Sequence, residues 1–405
     1  MMTVAEALQR NRNTLAHAMI LAPDRRRWRG FETGEIPLTK NATSRRTSVT
    51  CNAFTRTAFC AAALLTAAST LSAVAQSSGA HPAGDLKIYF ADVEGGQATL
   101  FVTPTHDSML VDTGWPGFEG RDADRIVALC KEAGIAKIDT VVLTHFHTDH
   151  VGGVPQLADR LPIGRFIDHG PNREQDGGIT EEGFKLYQQV LTEKHIPRMT
   201  AHVGEVLPVQ GMRVEVVSAD GEVLAKSLAG AGATNPACAA SPQKALEKSE
   251  NDRSVGLMIT FGKLRILDLG DLTWAKERPL MCPLNKLGKV DIYIVSHHGM
   301  DRSGSPALVD AIAPRVAIMD NGGTKGGVAS SFDTLERSPR LKDLWQLHTA
   351  EGSDAAHNTL PAHTANLSGP TDAGHSLLLT AHPDGTFSVL NERTGTTVNY
   401  PAEAK

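Results

Sequence analysis

Side chains able to do chemistry are densest in THFHTDHVGG, from Thr144 to Gly153, where His145, His147, Asp149 and His150 fall within six residues. Imidazole nitrogens joined by a carboxylate suit zinc and neighbouring first-row metals. His145 and His147 are two apart and can turn the same way, while Asp149 and His150 continue around the bend. A metal held here would act as a Lewis acid and make a bound water acidic near neutral pH. A polar turn with surface histidines is the plain alternative. Chance seldom packs four such donors between an apolar run and a Gly-Gly pair, so the metal reading is preferred.

Strands are needed to position these residues. IDTVVL, just upstream, is a short apolar and β-branched run that reads as a buried strand, with the donors on the loop leaving it. Before it come LKIYFADV, QATLFVT and SMLVDTG, three strand-like runs in quick succession, then the amphipathic helix RDADRIVALCKEAG with a glycine stop. Further on, the pattern predicts helices over 156–160, 181–194, 273–281, 306–312, 332–338 and 341–347. Strands are expected at 165–168, RVEVVS, SVGLMITF, LRILDLGD, DIYIVS, RVAIMD, HSLLLTA and TFSVLN. The Ala/Gly/Ser-rich stretch 219–250 reads as a flexible surface insertion. Successive strand–helix halves without an internal linker imply one α/β domain, two facing sheets with helices outside.

Other donors recur at strand ends, where such loops converge. His169 follows RFID and fits a third ligand of a first metal. Asp271 ends ILDLGD and could bridge two metals through its carboxylate. His297 and His298 end DIYIVS, and either could complete a second metal. Ordinary loop residues would not be expected at so many equivalent places.

With ADVEGGQATL, MLVDTG, THFHTDHVGG, ILDLGD and VSHHGMDRSGS in view, the chain resembles the metallo-β-lactamase superfamily. Within it, the branch that resembles this chain is the hydrolase domain of bacterial DNA-uptake (competence) channels and its secreted relatives. The resemblance runs from about Asp85 to Asn321. It implies a four-layer αββα sandwich with mixed sheets and the active site at the sheet edge. It also implies His145, His147 and His169 on one metal, and Asp149, His150 and His297 on a second, with Asp271 bridging. His298 would then donate a proton to the leaving group, Asp149 would orient the nucleophile, and Asp112 would fix a ligand imidazole. DVEGGQ stands where the channels have DVGQGD, and HHGMDRSGS departs from their HHGS form, so the substrate does not carry over.

The function implied is hydrolysis by water activated between two divalent metals, zinc first, with manganese or iron as alternatives. The preferred substrate is a phosphodiester or other phosphoester, a small molecule or an oligonucleotide-type anion. Lys325 in NGGTKGG and Arg302 are candidate contacts for such an anion. The runner-up keeps the site and cuts a lactone, β-lactam or thioester; a non-catalytic exported binding protein is the third reading. His348 and His357 are expected to take no part in catalysis.

A net charge of -5 over 405 residues argues against a surface that coats nucleic acid, and leaves room for a local basic groove. Residues 1–44 carry a basic cluster without apolar periodicity and are expected to be disordered. Residues 45–75 read as a cleavable export signal. Arg45, Arg46 and Arg56 precede the apolar run 58–71, and Ala73-Val74-Ala75 offers the cleavage site. A linker, 76–84, then leads to the domain, 85–400. The expected location is periplasmic or secreted, with no stable membrane partner after cleavage. Cys130, Cys238 and Cys282, an odd number without CxxC spacing, give no sign of a disulfide framework.

Overall fold

The computed structural model of the protein describes residues 84–403, apart from 176, 370 and 371. The expected leader and export signal lie outside the described residues. Among those described, no helix is long and apolar enough to cross a membrane.

The first half of the domain runs β1 (Leu86–Phe90), β2 (Thr99–Val102), β3 (Ser108–Val111), α1 (Arg121–Glu132), β4 (Thr140–Val142), α2 (Thr148–Val151), α3 (Val154–Arg160), β5 (Phe166–Asp168), α4 (Ile179–Lys194) and β6 (Arg198–Thr200). The second opens with β7 (Arg213–Ala219), β8 (Glu222–Val223), β9 (Ala233–Thr234), β10 (Gly256–Phe261) and β11 (Leu264–Asp268). It continues through α5 (Trp274–Met281), β12 (Leu284–Asn285), β13 (Ile292–Ile294), α6 (Pro306–Ile312), β14 (Val316–Met319) and α7 (Ala329–Glu336). Five strands close the chain: β15 (Asp343–His348), β16 (Thr364–Asn366), β17 (Leu377–Ala381), β18 (Phe387–Asn391) and β19 (Thr396–Tyr400).

These strands form two large mixed sheets, ordered β19-β18-β17-β1-β2-β3-β4-β5-β6 and β16-β15-β14-β13-β11-β10-β7-β8. In the first, β3, β4, β5 and β6 are parallel and the rest antiparallel. In the second, β11, β13, β14, β15 and β16 are parallel. Alternation along the strands sorts their side chains. Ile88, Phe101, Val142 and Ile167 meet Leu257, Ile266, Ile294 and Ile318 in a core between the sheets. Tyr89, Leu110 and Val141 face outward onto α1, α3 and α4 through Ile126, Leu157 and Tyr187. Leu267, Tyr293 and Ala317 do the same against Leu280, Leu308 and Phe332. The result is the four-layer αββα sandwich, and burial on both faces explains why the strands read as near-continuous apolar runs.

Three expectations change. LKDLWQL spaces its apolar residues like a helix, yet 343–348 is the strand β15, parallel to β14 and β16. Leu344 faces the outer core, Trp345 and Leu347 the inner one, so a strand covered on both faces mimics helical spacing. Trp345 Nε1 donates to Tyr400 Oη at 3.0 Å, which ties β15 to β19 across the sheets. Second, the short strands β6, β16 and β19 had no sequence signal; TTVNY at the sheet edge is mostly polar and partly exposed. Third, Cys238 and Cys282 do form a disulfide, across 44 residues that no motif links, leaving Cys130 buried as a thiol. Within 219–250, the disulfide is joined by β9 pairing with β12 and by Asn235 Nδ2, which donates to Met281 O and Ala307 O.

At the end of β11, Asp268 is buried and accepts from Gln97 Nε2 (2.7 Å) and the Gly270 N–H (3.0 Å). Burial lifts its carboxyl to about 7, with Asp112 and Asp320 adding to the rise against those two donors. A folded-state value above the unfolded one makes the contribution to stability full below the unfolded value of 3.8 and lost as pH rises through about 7. In metal-free protein, Asp268→Asn, with the Gln97 amide turned over, is therefore expected to gain stability relative to wild type between pH 4 and pH 8. The ceiling is on the order of 4 kcal/mol; denaturant midpoints at both pH values measure it, and a constant difference contradicts the assignment. Reducing the disulfide should cost about 2–4 kcal/mol by loop entropy, read as a drop in unfolding midpoint that reductant no longer produces in the double variant Cys238→Ala, Cys282→Ala.

Candidate metal centre

The parallel strands of both sheets end at one edge, and the donors leave from those ends. β4 leads into His145, His147, Asp149 and His150; β5 into His169; β11 into Asp271; β13 into His297 and His298; β14 into Asp320 and Lys325. Crevices beyond the carboxyl ends of parallel strands are where open α/β sheets bind ligands. The ligand loop is pressed onto the loop after β3. A Cβ at Gly153 would come within 2.0 Å of Thr113 O, so only glycine lets the backbones approach this closely.

Two groups of donors result, each with its atoms within 4.8 Å of one another. Asp149, His150, Asp271 and His298 form the first; His145, His147 and Asp271 form the second. Asp271 belongs to both. All are buried except His147, which is half-buried. His150 Nε2 lies 3.2 Å from Asp149 Oδ2 and 3.4 Å from Asp271 Oδ2, and His145 Nε2 lies 3.8 Å from Asp271 Oδ2.

Asp112 orients this core. It accepts from Thr144 N (2.7 Å) and Thr144 Oγ1 (2.6 Å), and its Oδ2 is 2.7 Å from His150 Nδ1. With the proton on Nδ1 assigned to that bond, His150 turns Nε2 toward the cluster.

The structure brings in His298 where the resemblance implies His297. His298 Nε2 lies 3.1 Å from Asp149 Oδ2 and 3.6 Å from Asp271 Oδ1. His297 touches only the edge of the cluster, with Nε2 3.3 Å from Asp271 Oδ2 and Nδ1 3.2 Å from Ser303 Oγ. The cause is the backbone: both histidines have positive φ, 56° and 55°, a curl that turns the second side chain inward. Such conformations cost on the order of 1–2 kcal/mol each for residues with a Cβ. They are held by His297 N donating to Gly270 O and Gly327 N donating to His298 O. Electrostatics of the metal-free cluster separates the pair in the other direction, since only a neutral imidazole ligates and a metal at the carboxylates would displace the proton from His298. Burial and Lys325 oppose a proton on His298, but Asp271, Asp320 and Asp149 together lift it to about 9. At His297 burial wins, against Asp271, and takes it down to about 4.

His169 stands outside both groups. Its Nε2 is 2.8 Å from Glu250 Oε2, and its buried Nδ1 has no partner. His147 Nε2 is likewise 3.3 Å from Glu174 Oε1, which also accepts from Glu250 N. Glu250 further accepts from Phe146 N and Arg173 N. Neither glutamate lies in a motif, so sequence reading passed over this carboxylate pair. Lys325 is at the centre, ion-paired to Asp149. Arg302 is on the rim, 3.9 Å from Glu247 and more than half exposed. His357 is on the surface with Asp354. His348 pairs with Asp92 at 2.6 Å beside Glu94, but Arg125 also donates to Asp92 at 3.0 Å, so that group's charge is already matched.

Buried donors without partners test whether metal ions fit. His145 Nε2 and Asp271 Oδ1 are buried and have no hydrogen-bond partner. Burial, then His150, holds His145 well below the usual imidazole range, in the neutral form whose lone pair binds a metal. Burial alone would raise Asp149 and Asp271, yet the surrounding histidines hold both well below the ordinary carboxylate range. The donor set fits divalent metal ions. If His298 completes it, metal content measured by elemental analysis should fall by about one ion per chain in His298→Ala and stay unchanged in His297→Ala; the reverse pattern would restore His297 as the ligand.

A family model described as the Metallo-beta-lactamase superfamily matches residues 92–224. Recombination protein 2 of Haemophilus influenzae is 25% identical over 253 residues, which cover 62% of this chain and 26% of that protein. ComE operon protein 3 of Bacillus subtilis is 23% identical over 189 residues, 47% of this chain and 20% of that one. The chain thus spans about a quarter or less of the length of these relatives. Among solved structures, the metallo-β-lactamase fold protein YhfI from Bacillus subtilis aligns with 72% of this chain and 98% of its own, at 12% identity and a TM-score of 0.40. Residues 92–224 thus match the Metallo-beta-lactamase superfamily, and a longer stretch of the chain is similar to Recombination protein 2 and ComE operon protein 3.

Proposed function

We propose that the protein is a metal-dependent hydrolase of phosphoesters, phosphodiesters first, working with two divalent ions, of which zinc, manganese and iron all suit the donors. The observation that carries this reading is Asp271, which belongs to both donor groups. Two ions held by that shared carboxylate would stabilise charge on the oxygens of a phosphoester and supply an acidified water. Asp149, His150, Asp271 and His298 would hold one ion; His145, His147 and Asp271 the other, with His169 brought in from its contact with Glu250.

The chain's own groups do the rest. Asp112 holds His150 in the tautomer that presents Nε2. Asp149, tethered from one side by His298 and from the other by Lys325, is placed to orient an attacking water. Lys325 adds a positive charge to a corner that otherwise holds carboxylates, which favours a substrate with anionic oxygens over a neutral carbonyl ester. One relative is named a recombination protein, which favours a nucleic-acid-type phosphodiester. The Cys238–Cys282 disulfide favours an oxidising compartment, periplasmic or extracellular, in keeping with export through residues 45–75.

Assay of the chelated and metal-reloaded protein tests the reaction. Bis-p-nitrophenyl phosphate should be hydrolysed only after reloading, and Asp271→Asn should lower kcat at least about 100-fold. Turnover of nitrocefin or an acyl-lactone, with none of the phosphodiester, would overturn the phosphoesterase reading.

A further inference from the structure

Beside the donor cluster, one corner of the cleft is built from an ammonium and an indole. Lys325 sits on the loop after β14, and its Nζ is ion-paired to Asp149 while lying 4.9 Å from the centroid of the Trp115 ring. Both residues are held from behind. The Lys325 loop is closed by Gly322 N donating to Lys325 O (2.8 Å) and pinned by Asn321 Nδ2 donating to His348 O (2.8 Å). Across from it, Gly95 has a positive φ, and a Cβ there would come within 3.0 Å of Lys325 Cβ. The backbone at Trp115 is fixed by its main-chain N–H, which donates to Asp122 Oδ2 at 2.8 Å. Its neighbour Pro116 lies where a Cβ on Gly152 of the ligand loop would come within 2.3 Å, so the backbone next to Trp115 is seated against the loop carrying Asp149 and His150.

The geometry points to Lys325 and Trp115 as the recognition corner for a nucleotide-type phosphoester, the ammonium taking a phosphoryl oxygen and the indole stacking on the base. This rests on the phosphoesterase reading and narrows it to a substrate class. An ammonium that reaches the Asp149 carboxylate also reaches an anionic oxygen placed beside Asp149. A partly exposed indole a few ångströms away offers the flat apolar surface on which bases stack. The same loop continues this chemistry outward: Phe118 is 64% exposed, and the Arg121 guanidinium lies 4.5 Å from its ring centroid. A neutral, non-planar ester would use neither group. If Lys325 served only to neutralise Asp149, its loss would disturb metal content and kcat rather than ligand affinity.

The test is calorimetric titration of the full, metal-loaded chain with inorganic phosphate and with adenosine monophosphate, alongside metal content and steady-state kinetics on bis-p-nitrophenyl phosphate. Lys325→Ala should weaken both ligands about ten-fold or more and raise KM more than it lowers kcat, with metal content retained and phosphate binding recovered in Lys325→Arg. Trp115→Ala should leave phosphate binding unchanged and weaken the nucleotide about ten-fold, with Trp115→Phe recovering most of it. Unchanged phosphate affinity in Lys325→Ala, or equal effects of Trp115→Ala on the two ligands, would overturn the corner. A protein that shows this binding pattern but hydrolyses no phosphoester keeps the corner and loses the proposed reaction. Hydrolysis with KM unshifted in both variants discards the corner and keeps the reaction.

Discussion

Asp271 is buried, and three imidazole Nε2 atoms, from His145, His150 and His297, lie within 3.8 Å of its Oδ2. Asp149 and His298 crowd the same space. Polar and charged groups taken out of water this way are costly unless each is paired, and here His145 Nε2 and Asp271 Oδ1 have no partner. The arrangement makes physical sense as a receptacle for cations, which would neutralise the carboxylates and occupy the free lone pairs together. Much of the rest of the domain reads as what is needed to hold that crowd in place.

The scaffold does this in layers. Parallel strands from two sheets deliver the donors to one edge, so that residues more than a hundred positions apart meet within hydrogen-bond distance. Around them, carboxylates that touch only one donor each fix its direction, Asp112 on His150 and Glu174 on His147, while Glu250 holds His169 outside both groups. Backbone strain is present at the same edge. Asp112, His297 and His298 all have positive φ without being glycine, a cost tolerated where surrounding bonds over-determine the conformation. Lys325 and Trp115 then close one side and give the cleft a preference in charge and shape.

How much of this was legible depended on whether a feature is local in sequence. THFHTDHVGG was readable because its four donors are contiguous and follow a strand, and the αββα architecture followed from strand–helix alternation and from the family resemblance that motif carries. Asp271 and the His297-His298 pair could be placed at strand ends. Which histidine turns inward could not be read, because that depends on two consecutive left-handed residues whose stabilising partners, Gly270 and Gly327, are distant in the chain. Glu174 and Glu250 lie in no motif and matter only once three segments meet. Cys238 and Cys282 likewise pair across 44 residues in which no motif signals a partner. At β15 the failure was of another kind: burial on both faces erased the alternation that would have marked a strand, and the spacing of Leu344, Trp345 and Leu347 imitated a helix.

The central claim is that one carboxylate organises two metal ions. Anomalous-scattering maps from crystals of the zinc- or manganese-loaded protein test it most directly. The account predicts two peaks, about 3.5–4 Å apart as in other two-metal centres, flanking the Asp271 carboxylate, one against Asp149, His150 and His298 and the other against His145 and His147. A single peak, or two peaks that do not share Asp271, would contradict it.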